Sequence, residues 1–152
     1  MKKTLVQQWS LTKLHVGLWM WKYFTKFAAF YLNSGPRKTR LRAFCLADNG
    51  ITCGNDYAPQ KTFGIRWVDS HHTANLRIFK NHKLYVSHLK VLEFDPIYKN
   101  APGTRLTIRQ FRQFLTHQNV IITLCVQLDI ARVYKGISKV FQVNFKIQTS
   151  PR

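Results

Sequence analysis

Acidic residues are scarce in this chain, and their scarcity limits what it can fold into and bind. The 152 residues include only 6 Asp and Glu against 24 Lys and Arg, which gives a formal net charge of +18. Hydrophobic residues still make up 45% of the chain, so it has the material for a packed core that a disordered basic tail lacks. A compact body with this charge repels itself unless a polyanion neutralises it. We therefore expect a nucleic acid or an anionic membrane as its partner.

The length of the chain allows one domain, or one domain with an appended arm. We expect residues 1–35 to form an N-terminal helical arm and residues 36–152 to form an α+β body that binds RNA. The three cysteines, Cys45, Cys53 and Cys125, have no framework spacing, which predicts free thiols in a reducing compartment. The sequence shows neither an internal repeat nor a heptad array.

Residues 11–32 are the clearest helix candidate. Apolar residues recur through this segment at the i, i+3, i+4, i+7 spacing and cover most of the predicted helix. Residues 33–36, with a glycine followed by a proline, predict the end of the helix. A narrow cationic stripe is expected on the opposite side, and it comprises His15, Trp19, Lys22 and Lys26.

Runs rich in β-branched and aromatic residues predict strands in the rest of the chain. A second helix is expected from Thr107 to His117, because threonine is a good N-cap residue. The predicted fold is therefore α+β, with a small, mostly antiparallel sheet, one packed helix and the long N-terminal helical arm. The expected strands are residues 41–46, 61–68, 75–80, 83–94, 120–130 and 140–147, with a hairpin turn at 135–136.

Basic residues cluster in four segments that are interleaved with aromatic residues. Phosphate contact needs long cationic side chains, and contact with single-stranded bases needs exposed aromatic faces. Four patches spread along the chain favour RNA contacts on several sides over docking into one DNA groove. Besides the helical stripe, the candidate RNA-binding residues are Arg37, Lys38, Arg40 and Arg42 in a loop and the strand after it, Arg77, Lys80, Lys83 and Lys90 on a strand face, and Arg105, Arg109 and Arg112 along the second helix.

Little in the sequence supports catalysis or metal binding. Glu93 and Asp95 are the closest acidic pair, and we expect them to be solvated or paired with lysine. The cysteines and histidines lack the short paired spacing of structural zinc sites, and no phosphate-binding loop or nucleophile motif occurs. We therefore expect no enzyme activity, no catalytic residue, no metal and no cofactor. A small RNA-cleaving enzyme that uses His71 or His72 is the alternative within catalysis.

The whole chain resembles organellar ribosomal proteins in being small, basic, acid-poor and aromatic. This resemblance implies a structural RNA-binding component of a ribosome in the mitochondrial matrix, with ribosomal RNA and neighbouring ribosomal proteins as partners. It implies neither a small-molecule substrate nor stable insertion into a membrane. The alternative is an accessory subunit of an organellar membrane complex, with the helix at residues 11–32 lying in the membrane interface.

Overall fold

The computed structural model describes residues 16–47, 57–61 and 67–148, and it is helical throughout most of these ranges. In these ranges 87% of the chain is helical, in six α-helices, and no strand or sheet is present. The predicted α+β fold with a mostly antiparallel sheet is therefore wrong, and the described chain is an all-α fold. The reason is the same in each mispredicted segment: apolar residues at a helical period were interpreted by their β-propensity.

Helix α1 (Val16–Leu32) and helix α2 (Gly35–Ala47) follow each other with only two residues between them. The predicted end of the first helix near residue 32 is confirmed, while its predicted start at residues 11–15 lies outside the described residues. Pro36 does not only end α1: it lies in the first turn of α2, where proline needs no backbone donor and its fixed φ suits a helix. The strand predicted at 41–46 is consequently a helical segment, with Leu41 and Cys45 buried one turn apart.

Helix α3 (Trp67–Lys80) and helix α4 (His82–Phe94) replace the strands predicted at 75–80 and 83–94. The predicted break between those two segments is present at Asn81. Most of the strand predicted at 61–68 lies outside the described residues, and its last two residues begin α3. The apolar residues of α4 face the core at a helical period and not in alternation; the buried ones are Leu84, Tyr85, Leu89 and Leu92.

A short 3₁₀ turn (Pro96–Tyr98) leads to helix α5 (Pro102–Thr116), which is followed by helix α6 (Gln118–Gln148). The second helix was predicted correctly as a helix, but it begins five residues before Thr107, with Pro102 in its first turn. The strands predicted at 120–130 and 140–147 form one helix of 31 residues, and the expected turn at 135–136 lies inside it. Val120, Leu124 and Leu128 are buried at every fourth position of α6. This packing outweighs the weak preference of β-branched residues for strands.

One hydrophobic core joins the helices, and aromatic rings make up its centre. Helix α4 packs along α5, and α3 packs along α6. The ring of Phe27 in α1 lies 5.2 Å from the ring of Tyr85 in α4 and 5.5 Å from that of Phe111 in α5, both in edge-on geometry. Helix α1 thus shares its core with the body, although the division of the chain at residue 35 stays a prediction.

The cysteines differ from the expectation of free thiols. Cys45 is disulfide-bonded, to a partner outside the described residues, whereas Cys125 is free. The prediction of a free thiol is therefore wrong for Cys45. Its side chain is fully buried in the core, on the inner face of α2.

Candidate nucleic-acid interface

The only glutamate of the chain, Glu93, lies at the end of α4 and is held by three arginines of α5. Nε of Arg109 donates to Oε1 of Glu93 at 2.6 Å, and Nε of Arg112 donates to Oε2 at 2.8 Å. Nε of Arg105 donates to the backbone carbonyl oxygen of the same residue at 2.8 Å. The spacing of the arginines, i, i+4 and i+7, places all three on one face of α5. We call Glu93 and these three arginines the Glu93 cluster.

The Glu93 cluster keeps an excess of positive charge. Burial of the Glu93 carboxyl raises its pKa, but the hydrogen bonds and charges of Arg109 and Arg112 outweigh burial, so the pKa is lowered from the ordinary value of 4.5. The carboxylate is therefore ionised at neutral pH, and three guanidinium charges face one negative charge. Each guanidinium donates to Glu93 through Nε alone, and its Nη atoms make no hydrogen bond to a described residue.

The Nη atoms of the cluster remain accessible in part, because the arginine side chains are only partly buried. The side chain of Arg109 is 50% exposed and that of Arg112 is 31% exposed, whereas Glu93 is 2% exposed. A buried carboxylate thus orients guanidinium groups whose outer edges face solvent. Such an edge is suited to a phosphate, since a guanidinium presents parallel N–H donors that match two phosphate oxygens.

A second acid–arginine pair joins α2 to the segment after α4. The guanidinium of Arg40 forms an ion pair and a hydrogen bond with the carboxylate of Asp95. The backbone N–H of Ile97 also donates to Asp95, at 2.9 Å, and starts the 3₁₀ turn. The hydrogen bond from Ile97 and, after it, Arg40 hold the pKa of the Asp95 carboxyl below its usual range. The expectation that Glu93 and Asp95 are solvated or paired with lysine is therefore wrong: both are paired with arginine.

Arginine also engages the third acidic side chain that the structure describes. Asp129 lies 3.8 Å from Nη1 of Arg132, three residues further along α6, and both side chains are about three-quarters exposed. Arg37, in contrast, has no acid partner: it donates to the backbone oxygen of Phe30 at 2.7 Å and lies over the Phe30 ring. The three acids whose side chains the structure describes, Glu93, Asp95 and Asp129, are thus all paired with arginines.

Seven of the predicted RNA-binding residues are exposed and make no hydrogen bond or ion pair to any described residue. They lie in pairs or runs: two on α1, two on α2 and three at the end of α3 and along α4. The i, i+4 spacing on α1 and on α2 places the two cations of each pair on one face, about 6 Å apart along the axis. We call them the free cations, and they are Lys22, Lys26, Lys38, Arg42, Lys80, Lys83 and Lys90.

The remaining predicted residues fall into two groups. His15 lies outside the described residues, and Trp19 lies in α1 with a side chain that is also outside the description. Arg77 lies on α3 and has a partner within the chain. The residues expected on one strand face, Arg77 to Lys90, are therefore divided between two helices. Sequence reasoning missed Glu93 as the residue that organises the α5 arginines; the i, i+4, i+7 spacing of those arginines was the available signal.

The histidines offered as an alternative catalytic site, His71 and His72, lie on α3. The ring of His71 stacks on Trp21 of α1, with ring centroids 3.5 Å apart, and burial lowers the pKa of His71. Nδ1 of His88, in the core, is hydrogen-bonded to the hydroxyl of Tyr31 at 2.9 Å. In the described ranges no three His, Cys, Asp or Glu residues group as metal ligands would.

Among the described helices, none is long and apolar enough to cross a membrane. Comparison with protein-family models, with curated proteins and with solved structures finds no match to this chain.

Proposed function

We propose that this protein binds RNA through the phosphate backbone and acts as a structural component of a ribonucleoprotein particle. The observation that carries the proposal is the distribution of charge. All three acids whose side chains the structure describes are paired with arginine, while seven exposed cations have no acid partner and the Glu93 cluster keeps two positive charges in excess. A surface with unpaired cations on several helices attracts a polyanion such as the phosphate backbone of a nucleic acid.

The Glu93 cluster supports a specific role within this surface. Two of its guanidinium groups are held by a buried carboxylate and the third by a backbone oxygen, so less side-chain entropy is lost when a phosphate binds to them. The free cations are lysines in six of seven cases and supply point charges without fixed geometry. We therefore assign phosphate positioning to the Glu93 cluster and general electrostatic attraction to the free cations.

The finer form of the proposal places the protein in the mitochondrial ribosome, in contact with ribosomal RNA and neighbouring ribosomal proteins. It depends on the composition of the chain: a small, basic and aromatic protein with few acids. The alternative, an accessory subunit with an interfacial α1, has less support, because Met20, Phe24, Phe27 and Tyr31 of α1 are buried in the chain's own core. The apolar side of α1 is thus already covered by protein.

The experiment is a salt titration of binding to a fluorescently labelled single-stranded RNA, measured by anisotropy with the full chain. Each neutralised phosphate contributes about −0.7 to the slope of log K against log salt for a single strand. Lys90→Gln should make the slope shallower by about 0.7, since Lys90 has no acid partner. Arg105→Gln should do the same for the Glu93 cluster, because Arg105 contacts only the backbone oxygen of Glu93 and leaves the carboxylate paired.

Arg132→Gln is the matched control. It removes the same formal charge as the other two variants, but Arg132 lies beside Asp129 on α6 and belongs to neither the free cations nor the Glu93 cluster. Its slope should equal that of the wild type. A wild-type slope near zero contradicts RNA binding altogether, and equal slopes for Lys90→Gln and Arg132→Gln contradict the assigned surface. If duplex DNA binds as tightly as the RNA at the same salt concentration, the proposed partner must be widened from RNA to nucleic acid in general.

A further inference from the structure

Helix α6 carries a continuous apolar face that the rest of the described chain does not cover. Six side chains on this face are between 47% and 61% exposed, although all of them are β-branched and apolar. A contiguous exposed apolar surface of this kind marks an interaction site in soluble proteins. We call this face the α6 stripe, and it comprises Ile122, Val126, Ile130, Val133, Ile137 and Val140.

The spacing of the α6 stripe is that of a helix–helix seam. From Val126 to Val140 the residues follow one another at intervals of four, three, four and three, which is the spacing of the a and d positions of a coiled coil. This spacing is not recognisable as a heptad pattern when the segment is interpreted as two strands and a turn, as its β-branched residues suggest. The isoleucines occupy one of the two positions and the valines the other, so the seam repeats regularly along the helix.

In the segment of α6 after Leu128, the described part of the chain buries no described side chain. Leu128 is the last buried residue of this helix whose side chain is described, and between 129 and 140 every described side chain is partly or largely exposed. Isolated helices of about 12–15 residues are marginal in water even when they are rich in alanine. This segment contains Gly136 and several β-branched residues, which lower helix propensity further. Contact with a partner surface would therefore stabilise its helical conformation.

Charge indicates what the partner is. No stripe residue is charged, although the chain carries a net charge of +18, and the cations Arg132 and Lys135 occupy neither the stripe nor the positions that flank it. A phosphate backbone has no group for this face to bind. At the positions that flank the seam, a second copy presents Gln127, Asp129, Tyr134 and Gly136, so no two cations are brought together.

We propose that the α6 stripe is a self-association surface, occupied by the α6 stripe of a second copy of this chain. With about half of each of the six residues exposed, pairing of two stripes removes on the order of 1,000 Å² of surface, which is the lower bound for a specific interface. The seam is self-complementary because the same interval of three and four residues is present on both helices. The proposal does not depend on RNA binding.

The experiment is sedimentation velocity of the full chain over a roughly hundredfold range of concentration, because association follows mass action. At about 0.5 M salt, screening reduces the repulsion between two chains of this charge. The wild type should shift from monomer to a larger species as concentration rises. Val133→Lys should raise the dissociation constant at least about tenfold, because it places a charged side chain of each copy in the apolar seam.

Leu106→Lys is the matched control. Leu106 is an apolar residue of α5 that is 53% exposed, close to the 61% of Val133, and it lies outside the α6 stripe. This variant should associate like the wild type, and circular dichroism should show the same helix content for both lysine variants when they are monomeric. Hydrogen exchange supplies a second measurement: protection of residues 129–140 should rise with concentration in the wild type and not in Val133→Lys.

Three results would overturn the proposal. One is a wild type that stays monomeric over the whole concentration range at both low and high salt. Another is equal weakening of association by Val133→Lys and Leu106→Lys, since the interface would then lie elsewhere. The third is a monomer that floats with anionic lipid vesicles and loses flotation in Val133→Lys, because a membrane surface would then cover the stripe.

Discussion

Replacement of Glu93 by glutamine tests whether a buried carboxylate holds the α4–α5 pair together. Glutamine keeps the size of the side chain and one acceptor oxygen, so packing should be preserved. The substitution removes the charge to which Arg109 and Arg112 donate at 2.6 and 2.8 Å. It also leaves three guanidinium groups close together without a counter-charge.

The expected cost follows from these contacts. A hydrogen bond to a charged group contributes about 1.5–3 kcal/mol, and one neutral hydrogen bond of about 1 kcal/mol should survive in the variant. Because the arginine side chains are 50% and 31% exposed, the two charged bonds should lie in the lower part of that range. We therefore expect a loss of about 3 kcal/mol, close to the lower limit for removing one partner of a buried ion pair. For a chain of this size, that loss lowers the Tm by about 6–12 °C.

The assay is urea denaturation monitored by far-ultraviolet circular dichroism at neutral pH. Asp129→Asn is the control, since its pair with Arg132 is 3.8 Å apart and about three-quarters exposed, and it should cost less than about 0.5 kcal/mol. The double variant Glu93→Gln with Arg112→Gln should cost less than the sum of the two single variants, because the residues interact directly. Equal stability of Glu93→Gln and Asp129→Asn, or strict additivity in the double variant, would refute the reasoning.

Three further outcomes are expected. Burial and, secondarily, the charge of Arg40 lower the pKa of His88 from 6.5 to about 4 in the folded state. As the pH falls from 6.5 to 4 the unfolded chain therefore takes up a proton first, and stability should fall by at most about 3 kcal/mol in urea titrations. His88→Gln should remove the His88 part of this dependence and leave the part due to His71, whose pKa burial also lowers. Tyr31→Phe removes the hydroxyl that is hydrogen-bonded to buried His88 and should cost about 1–2 kcal/mol in the same assay, whereas Tyr134→Phe at an exposed position should be neutral. Gly136→Ala should stabilise the fold by about 0.5–1 kcal/mol, because an added Cβ meets no atom within 4 Å and alanine has the higher helix propensity; a lower urea midpoint would contradict this.

The boundaries that local chemistry sets were predictable from the sequence. The end of α1 near residue 32 and the break at Asn81 both depend on residues adjacent in the chain. The same is true of α5, where a helix was expected and its start was placed only five residues late. The earlier start depends on Pro102, because proline is compatible with the first turn of a helix.

The type of the other elements was predicted wrongly because two signals competed. In α6 the run of valines and isoleucines indicates a strand, while burial at Val120, Leu124 and Leu128 follows a helical period. Strand propensity reflects packing on a pleated surface more than an intrinsic preference of the backbone. With α3 packed along this face of α6, the helical period determines the structure.

The candidate site was predictable in composition but not in pairing. The sequence identifies the basic residues, but it does not say which of them are already neutralised by an acid. Glu93 lies 16 residues before Arg109 and 19 before Arg112, and only the packing of α4 on α5 brings them together. The same holds for Arg40 and Asp95, which are 55 residues apart. The distinction between the free cations and the paired arginines is therefore a property of the fold.

The two proposals, although independent, make a joint prediction when both hold. Repulsion between two chains of charge +18 opposes pairing along the α6 stripe, and RNA bound to the free cations reduces that repulsion. Because linkage is reciprocal, pairing must strengthen RNA binding by the same factor. Val133→Lys separates this effect from simple charge: the added lysine by itself should strengthen RNA binding, whereas loss of pairing should weaken it. The measurement is RNA-binding anisotropy at protein concentrations above the dissociation constant of the pair. Val133→Lys should bind RNA more weakly than the wild type, and Leu106→Lys should bind at least as tightly as the wild type. The reverse order would show that pairing and RNA binding are not linked.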